Sequence, residues 1–334
     1  MHDCQYIISI ENLLLSWREF VNGKRNRKDV QEFQRNLISN IFSLHNDLKN
    51  KTYTHGGYES FKINDPKPRD IHKASVRDRL LHHTLHRVLY PYFDARFICH
   101  SYSSRKYKGT HRARRVFRKM SRRVSRNETR TCWILKCDIR KFFASIDHII
   151  LKYLLAEHIS DADTLHLLDN IIDSFHTQPG KGLPLGNLTS QLLVNIYMNK
   201  FDQWVKHTLK AQHYIRYADD FVFLSHDRRW LEYILENSAE FLGKELHLAL
   251  HPLKVSIDTL ASGVDFLGWI HFPTHRVLRT ATKRRMLKRL IETEYKEEVV
   301  QSYLGMLSHG NAYNLSQEVQ NIAKRYNDDT GTHP

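Results

Sequence analysis

Tyr214-Ile215-Arg216-Tyr217-Ala218-Asp219-Asp220-Phe221-Val222-Phe223-Leu224 is the stretch on which the reading of this chain turns. Its aromatic and β-branched residues make a short apolar run of the kind that forms a buried strand, and two adjacent acids interrupt it. The Ala-Asp-Asp centre predicts a tight hairpin turn, because Asp tolerates turn geometry. Two carboxylates side by side repel, and burying them is costly unless cations sit between them. Hard divalent cations with oxygen ligands meet that need. A solvated turn holding two acids by chance is the other reading of the dipeptide by itself.

Working outward, Trp133-Ile134-Leu135-Lys136-Cys137-Asp138-Ile139 reads as a buried strand ending in an acid, followed by Arg140-Lys141-Phe142-Phe143. A lone Asp there could be only a helix cap. It is also the third carboxylate that a paired-acid hairpin needs in order to hold two metals. Gly180-Lys181-Gly182-Leu183-Pro184-Leu185-Gly186-Asn187-Leu188-Thr189-Ser190-Gln191 is a glycine-rich entry into a helix. Glycines let a backbone approach a ligand closely, but no Gly-Lys-Ser/Thr closes this loop as a Walker motif requires. Tyr58 to Ile63 predicts a strand, residues 64–68 a turn, and Arg69 to His72 the returning strand. Lys67 and Arg69 at its tip are either ordinary surface charge or cations placed to fold over a triphosphate.

The remaining periodicity is mostly helical. Residues 1–50 predict two helices, on Ile10, Leu13, Leu14, Trp17 and Val21 and then on Phe33, Leu37, Ile41, Leu44 and Leu48, with a basic break at Gly23–Lys28. Ser75 caps a helix expected to run to Leu89 and to end at Pro91, with Arg77, Arg79 and Arg87 off its apolar face. A very basic helix carries Arg112, Arg114, Arg115, Arg118, Lys119, Arg122 and Arg123. With Tyr102, Tyr107 and Phe117 nearby it predicts a nucleic-acid groove, charge for phosphates and rings for stacking. Helices are expected over 148–176 and 228–248, a strand-like exit over Leu246–Ile257, and a second hairpin over Val264–Phe272. The tail, Thr282 to Tyr326, reads as helical with breaks at Gly305 and Gly310.

Composition narrows the partners. The chain has 334 residues, 41% apolar and 11% aromatic, and a formal net charge of +15. That excess points to a polyanion, nucleic acid before an anionic membrane. No apolar run approaches the roughly 20 residues needed to cross a bilayer, and the N-terminus carries no secretory pattern; a cytoplasmic protein is expected. Four cysteines are too few for a disulfide framework, so Cys132 and Cys137 are expected to be buried thiols. The 22 histidines are scattered without metal-ligand spacing.

In order, these segments resemble reverse transcriptases of the bacterial and intron type over roughly residues 55–275. Tyr217-Ala218-Asp219-Asp220 matches the family's Tyr-x-Asp-Asp box, and Asp138 with Phe142-Phe143 matches its preceding acid motif. Within the family the chain looks most like enzymes of diversity-generating retroelements, because Leu185 stands where most relatives have Gln, and Ser190-Gln191 where they have Ser-Pro. The compact length, expected to leave no maturase, endonuclease or RNase H domain after the tail, and the Tyr303–Asn311 segment fit that group.

The resemblance implies an α+β right-hand polymerase: N-terminal helices and fingers over 1–130, a palm of antiparallel sheet plus helices over 131–275 with fingers interleaved around 150–185, and a short helical thumb over 276–334. It implies that Asp138, Asp219 and Asp220, with the Ile139 carbonyl, hold two Mg²⁺ about 3.5–4 Å apart. Lys67 and Arg69 would bind the triphosphate, Phe143 would exclude a 2′-hydroxyl, and Leu185 and Gln191 would line the nascent base pair. Lys254 would protonate pyrophosphate. Phe266-Leu267-Gly268-Trp269 would grip the primer, with Arg79 and Tyr217 also on primer or template. Implied partners are template RNA, primer and cDNA, dNTPs, and a small basic accessory protein, in a bacterial, archaeal or phage setting. Low fidelity opposite template adenines follows from the same likeness. The rivals are a group II intron-like or phage-defence reverse transcriptase and a non-catalytic RNA-binding protein on a polymerase fold.

Overall fold

The computed structural model describes residues 3–64 and 68–330. The helices are α1 (Cys4–Ile8), α2 (Ile10–Phe20), α3 (Lys28–Arg35), α4 (Leu37–Lys49), α5 (Val76–Asp94), α6 (Gly109–Val124), α7 (Phe142–Ser145), α8 (His148–Ala156), α9 (Ala162–Asp173), α10 (Leu188–His207), α11 (Arg228–Leu246), α12 (Thr280–Glu292), α13 (Glu297–Leu307) and α14 (Tyr313–Thr330). The strands are β1 (Tyr58–Ile63), β2 (Arg69–Ala74), β3 (Trp133–Asp138), β4 (Tyr214–Tyr217), β5 (Asp220–Ser225), β6 (Ser256–Thr259), β7 (Val264–Phe266), β8 (Trp269–His271) and β9 (Arg276–Leu278). The fold is α+β, as expected. Its strands form three sheets: β1-β2, β4-β5-β3-β6 and β7-β8-β9.

The chain forms two compact units. The first takes the described residues through Gly109, then Cys137–Phe221 and Ile234–Val255. Here α10 packs on α5 and α8, and α2 packs on α5. Leu192, Leu193, Ile196, Tyr197, Phe201 and Val205 of α10 are buried, which is why a 20-residue helix with little polar face is stable. The β1–β2 hairpin runs in antiparallel register from Tyr58↔Ala74 to Ile63↔Arg69. The Ser75 hydroxyl caps α5 by accepting from the Asp78 N–H.

The second unit takes Thr110–Lys136, Val222–Tyr233 and the described residues from Ser256. In it β3 pairs antiparallel with β6, Trp133 opposite Thr259, and β7-β8-β9 is a small meander. Met286, Leu290, Val300, Leu307, Val319 and Ala323 make the core of α12–α14.

Several expectations are corrected. The N-terminal 50 residues hold four helices rather than two. The helix α5 runs through Pro91 to Asp94: proline forgoes one hydrogen bond, and burial of Tyr90 and Phe93 holds the last turn. Residues 246–255 make only a single bridge, Leu250 to Ile139, before β6. Gly305 lies inside α13, whereas Gly310 does fall in the break between α13 and α14; a further break lies at Glu294 and Tyr295, both with left-handed backbone. Tyr102 and Phe117 are buried, so of the three rings expected to stack on bases only Tyr107, 90% exposed, faces solvent. Cys132 and Cys137 are buried free thiols as predicted. Among the described residues no helix is long and apolar enough to cross a membrane.

Candidate active site

The centre of the first unit is the turn between β4 and β5. Ala218 holds a φ of +56°, a conformation that costs an L-residue on the order of 1 kcal/mol or more, so the turn needs support. Arg216 supplies it from below. Its guanidinium is fully buried and donates from Nη1 to the Ala218 carbonyl (3.1 Å) and to Asn195 Oδ1 (3.3 Å). It also donates from Nη2 to Ser101 Oγ (3.1 Å). Three further bonds go to Asp202, Nε to Oδ1 (2.9 Å) and to Oδ2 (3.0 Å) and Nη2 to Oδ2 (2.7 Å). The Tyr214 hydroxyl donates to the same carboxylate at 2.7 Å. Both charges of this pair have 0% exposed side chains and keep hydrogen-bond partners, which is what burying an ion pair requires.

Asp138 reaches the turn because β3 ends beside it. The Ile139 N–H donates to the Asp219 carbonyl at 3.2 Å, and the Asp138 carbonyl accepts from His251 at 2.7 Å. The Lys254 ammonium donates to Asp138 Oδ1 at 2.7 Å. Burial pushes the Asp219 carboxyl above the usual carboxylate range, and the Asp138 charge adds to the push; Lys254 and Arg69 act against it. Asp138, Asp219, Lys254 and Arg69 therefore share one electrostatic environment. Burial, with the Asp220 charge behind it, also pushes the Cys137 thiol up.

The other predicted residues fall into distinct places. Arg69 opens β2 and is exposed; Lys67 lies outside the described residues. Phe143 is half-buried in α7, and its carbonyl accepts from Leu183 (2.8 Å). The Leu185 carbonyl accepts from His72 of β2 (3.0 Å), and Asn187 Nδ2 donates to the His72 carbonyl (3.0 Å). The 183–187 loop is thereby tied to both Phe143 and the hairpin. Gly186, with φ +105°, allows this: a Cβ there would lie 2.8 Å from Ile71 Cγ2. Gln191 is exposed in the first turn of α10, and Tyr217 is half-buried.

Two predicted contacts are engaged within the protein. Arg79 pairs with Asp29 at 2.5 Å with its side chain 13% exposed. In the second unit, Phe266 and Trp269 are buried, Phe266 against Phe117 and Trp269 with the guanidinium groups of Arg114 and Arg276 over its ring. Leu267 and Gly268 form the two-residue turn between them, both at positive φ.

Sequence reading passed over Arg216, Asp202, Asn195 and Ser101. The signal available was Arg216 itself, a cation inside an apolar strand, which must find a carboxylate.

The donor set suits Mg²⁺ chemically: three carboxylates and a neighbouring carbonyl are hard oxygen ligands, and the mutual repulsion at Asp219 is what a cation relieves. Among the described residues, however, no three His, Cys, Asp or Glu side chains converge closely enough to hold an ion. The Lys254 ammonium stands against Asp138 instead.

Residues 62–271 match the family model for reverse transcriptase (RNA-dependent DNA polymerase). The chain belongs to the reverse transcriptase family. The matched span contains every predicted site residue. Among curated proteins of similar sequence, YkfC of Escherichia coli K12 is 26% identical over 255 residues, 65% of either chain. The putative COX1/OXI3 intron 1 protein of Saccharomyces cerevisiae is 28% identical over 156 residues, 43% of this chain and 18% of that one. The chain thus spans less than two thirds of these relatives. Among solved structures, an apo telomerase of Candida tropicalis truncated from the C-terminal domain is similar at 11% identity and a TM-score of 0.49, covering 72% of this chain and 60% of that one.

Proposed function

We propose that this reverse transcriptase is an active RNA-directed DNA polymerase that copies a template RNA into cDNA at Asp138, Asp219 and Asp220. The observation that carries the reading is the meeting of Asp138 and Asp219, remote in sequence, at one half-buried turn. Once the Lys254 ammonium leaves Asp138 and the carboxylates draw together, Asp138, Asp219 and Asp220 with the Ile139 carbonyl would hold two Mg²⁺ ions, whose chemistry is to activate the 3′-hydroxyl and neutralise the phosphates.

The chain's own residues would do the rest. Arg69, with Lys67, would grasp the triphosphate. Phe143 would press on the sugar and reject a 2′-hydroxyl, while Leu185 and Gln191 border the base pair. Lys254 would hold the proton that pyrophosphate takes. The Leu267-Gly268 turn, braced by Phe266 and Trp269, would meet the primer, and Tyr217 the template or primer. Arg79 could join them only by leaving Asp29. Primer extension by the wild-type chain, lost in Asp219→Ala, is the expected result. Equal product from both would remove the assignment, and no product from either would favour the non-catalytic RNA-binding reading.

Within the family we assign the chain to the diversity-generating type, working with a small basic accessory protein. The support is Leu185 in the 183–187 loop tied to β2: an apolar side chain offers no hydrogen bond to position nucleotide or template. Misincorporation is expected to be highest opposite adenine, and Leu185→Gln to lower it. No excess at adenine would favour the second reading, an intron-type enzyme, which the likeness to the yeast intron 1 protein supports.

A further inference from the structure

We propose that the outward face of α6 docks the backbone of a double-helical segment of the template RNA. The choice of RNA over DNA rests on the polymerase reading above; the duplex does not.

Arg115, Arg118, Lys119, Arg122 and Arg123 recur on α6 at i, i+3, i+4, i+7 and i+8, the spacing of one helix face. Arg126 continues the line in the turn that ends the helix. These six cations and Asn127 line an open groove of about 530 Å³ that contains no acid. All six are exposed, whereas Ala113, Phe117, Met120 and Val124 on the other face are buried. Arg118 donates to the Thr274 carbonyl at 3.2 Å. Among the described residues none of the other five forms an ion pair.

Two simpler accounts fall short. Cations near a helix C-terminus complement its dipole, but only within the last turn, which leaves Arg115, Arg118 and Lys119 unexplained. A solvated charged face normally mixes signs, and this one does not. The stripe covers about 12 Å of helix from Arg115 to Arg123. Double-stranded DNA carries roughly one charge per 1.7 Å, about seven over that length, so the five cations from Arg115 to Arg123 suffice for most of the phosphates of a duplex laid alongside.

The face also lacks what single strands need. Unpaired bases are held by stacking on exposed rings; no residue lining this groove is aromatic, Phe117 is 0% exposed, and the exposed His111 ring at the start of α6 is packed edge-on against His309. A surface of charge without rings suits a polymer whose bases are already stacked inward and which is recognised by its backbone and shape.

The test is binding of a blunt 20-base-pair RNA hairpin at several salt concentrations. The variants are Arg115→Ala/Lys119→Ala/Arg122→Ala and a control of equal charge change, Arg25→Ala/Lys28→Ala/Arg35→Ala. The α6 variant is expected to flatten the slope of log K against log salt by about 2–3, at roughly 0.9 per lost phosphate contact, with unchanged thermal unfolding. The control is expected to keep the wild-type slope. Equal flattening in both variants, an unchanged slope in the α6 variant, or equal loss for a DNA duplex, an unpaired RNA or an acidic polypeptide overturns the proposal. Primer extension is recorded in parallel: its absence in the wild-type chain would remove the polymerase reading while the hairpin result still decides the docking of a duplex.

Discussion

Lys254 Nζ lies 2.7 Å from Asp138 Oδ1, so the carboxylate that β3 delivers to the acid turn is already paired with a cation of the chain itself. The turn that carries Lys254 is anchored there too, through the His251 N–H on the Asp138 carbonyl and the Lys254 N–H on the His251 carbonyl at 3.1 Å. A metal reaching Asp138 must compete with that ammonium.

Lys254→Met is therefore expected to bind Mn²⁺ several-fold tighter, read by titrating free Mn²⁺ with electron paramagnetic resonance, while primer extension falls. Unchanged or weaker Mn²⁺ binding would show that the ion pair and the metal do not compete.

Asp219→Asn should separate activity from stability. The folded Asp219 carboxyl keeps its proton to higher pH than the unfolded one, so its ionisation at neutral pH works against the fold. Removing the charge is expected to leave Tm at or above wild type while extension drops roughly a thousandfold, about 4 kcal/mol of barrier. A clear fall in Tm would contradict the repulsion.

Asp202→Asn attacks the support rather than the acids. It strands the buried Arg216 charge beneath Ala218, a change that typically costs about 3–5 kcal/mol. Urea unfolding should show a lower midpoint with an unchanged m-value. A loss under 1 kcal/mol would mean that the guanidinium finds other partners.

Gly310→Ala tests the second unit. An added Cβ would sit 1.8 Å from Trp269 Cζ3, a large and rigid ring, so either Trp269 or the segment after α13 must move. The expected cost is about 2–3 kcal/mol, with a change in tryptophan fluorescence; a silent substitution would show that this contact is loose.

Acid should weaken the fold through two histidines. Burial lowers His82 to about 3 and His271 to about 4, against an unfolded value near 6.5. Between these values the unfolded chain binds more protons. The stability from keeping both rings neutral is thus complete above about pH 6.5 and declines as pH falls towards 4, by up to about 1.4 kcal/mol per pH unit for each. Urea midpoints at pH 7.5, 6.5 and 5.5 should be level and then fall, and a flat profile would contradict the burial of these rings.

Much of this was legible in the residues. The acid hairpin, the strand that ends in Asp138, the β1–β2 hairpin and the Ser75 cap follow from local rules: alternation, turn chemistry and a hydroxyl before an apolar run. The family motifs, being contiguous, were legible too. Errors arose where burial overrode a local rule, as in α5 continuing past Pro91 and in Tyr102 and Phe117 turning inward.

What no stretch of sequence states is which distant groups meet. That Asp202 on α10 would lie under Arg216, that Lys254 would stand on Asp138, and that Gly310 would seat Trp269 are matters of tertiary packing. A charge or a bulky ring buried by one element must be matched by whatever other element the fold brings against it. Sequence alone located the acid hairpin, the strand that ends in Asp138 and most of the longer helices; only the folded chain decided their partners, because desolvation makes a buried group depend on its neighbours in space rather than in sequence.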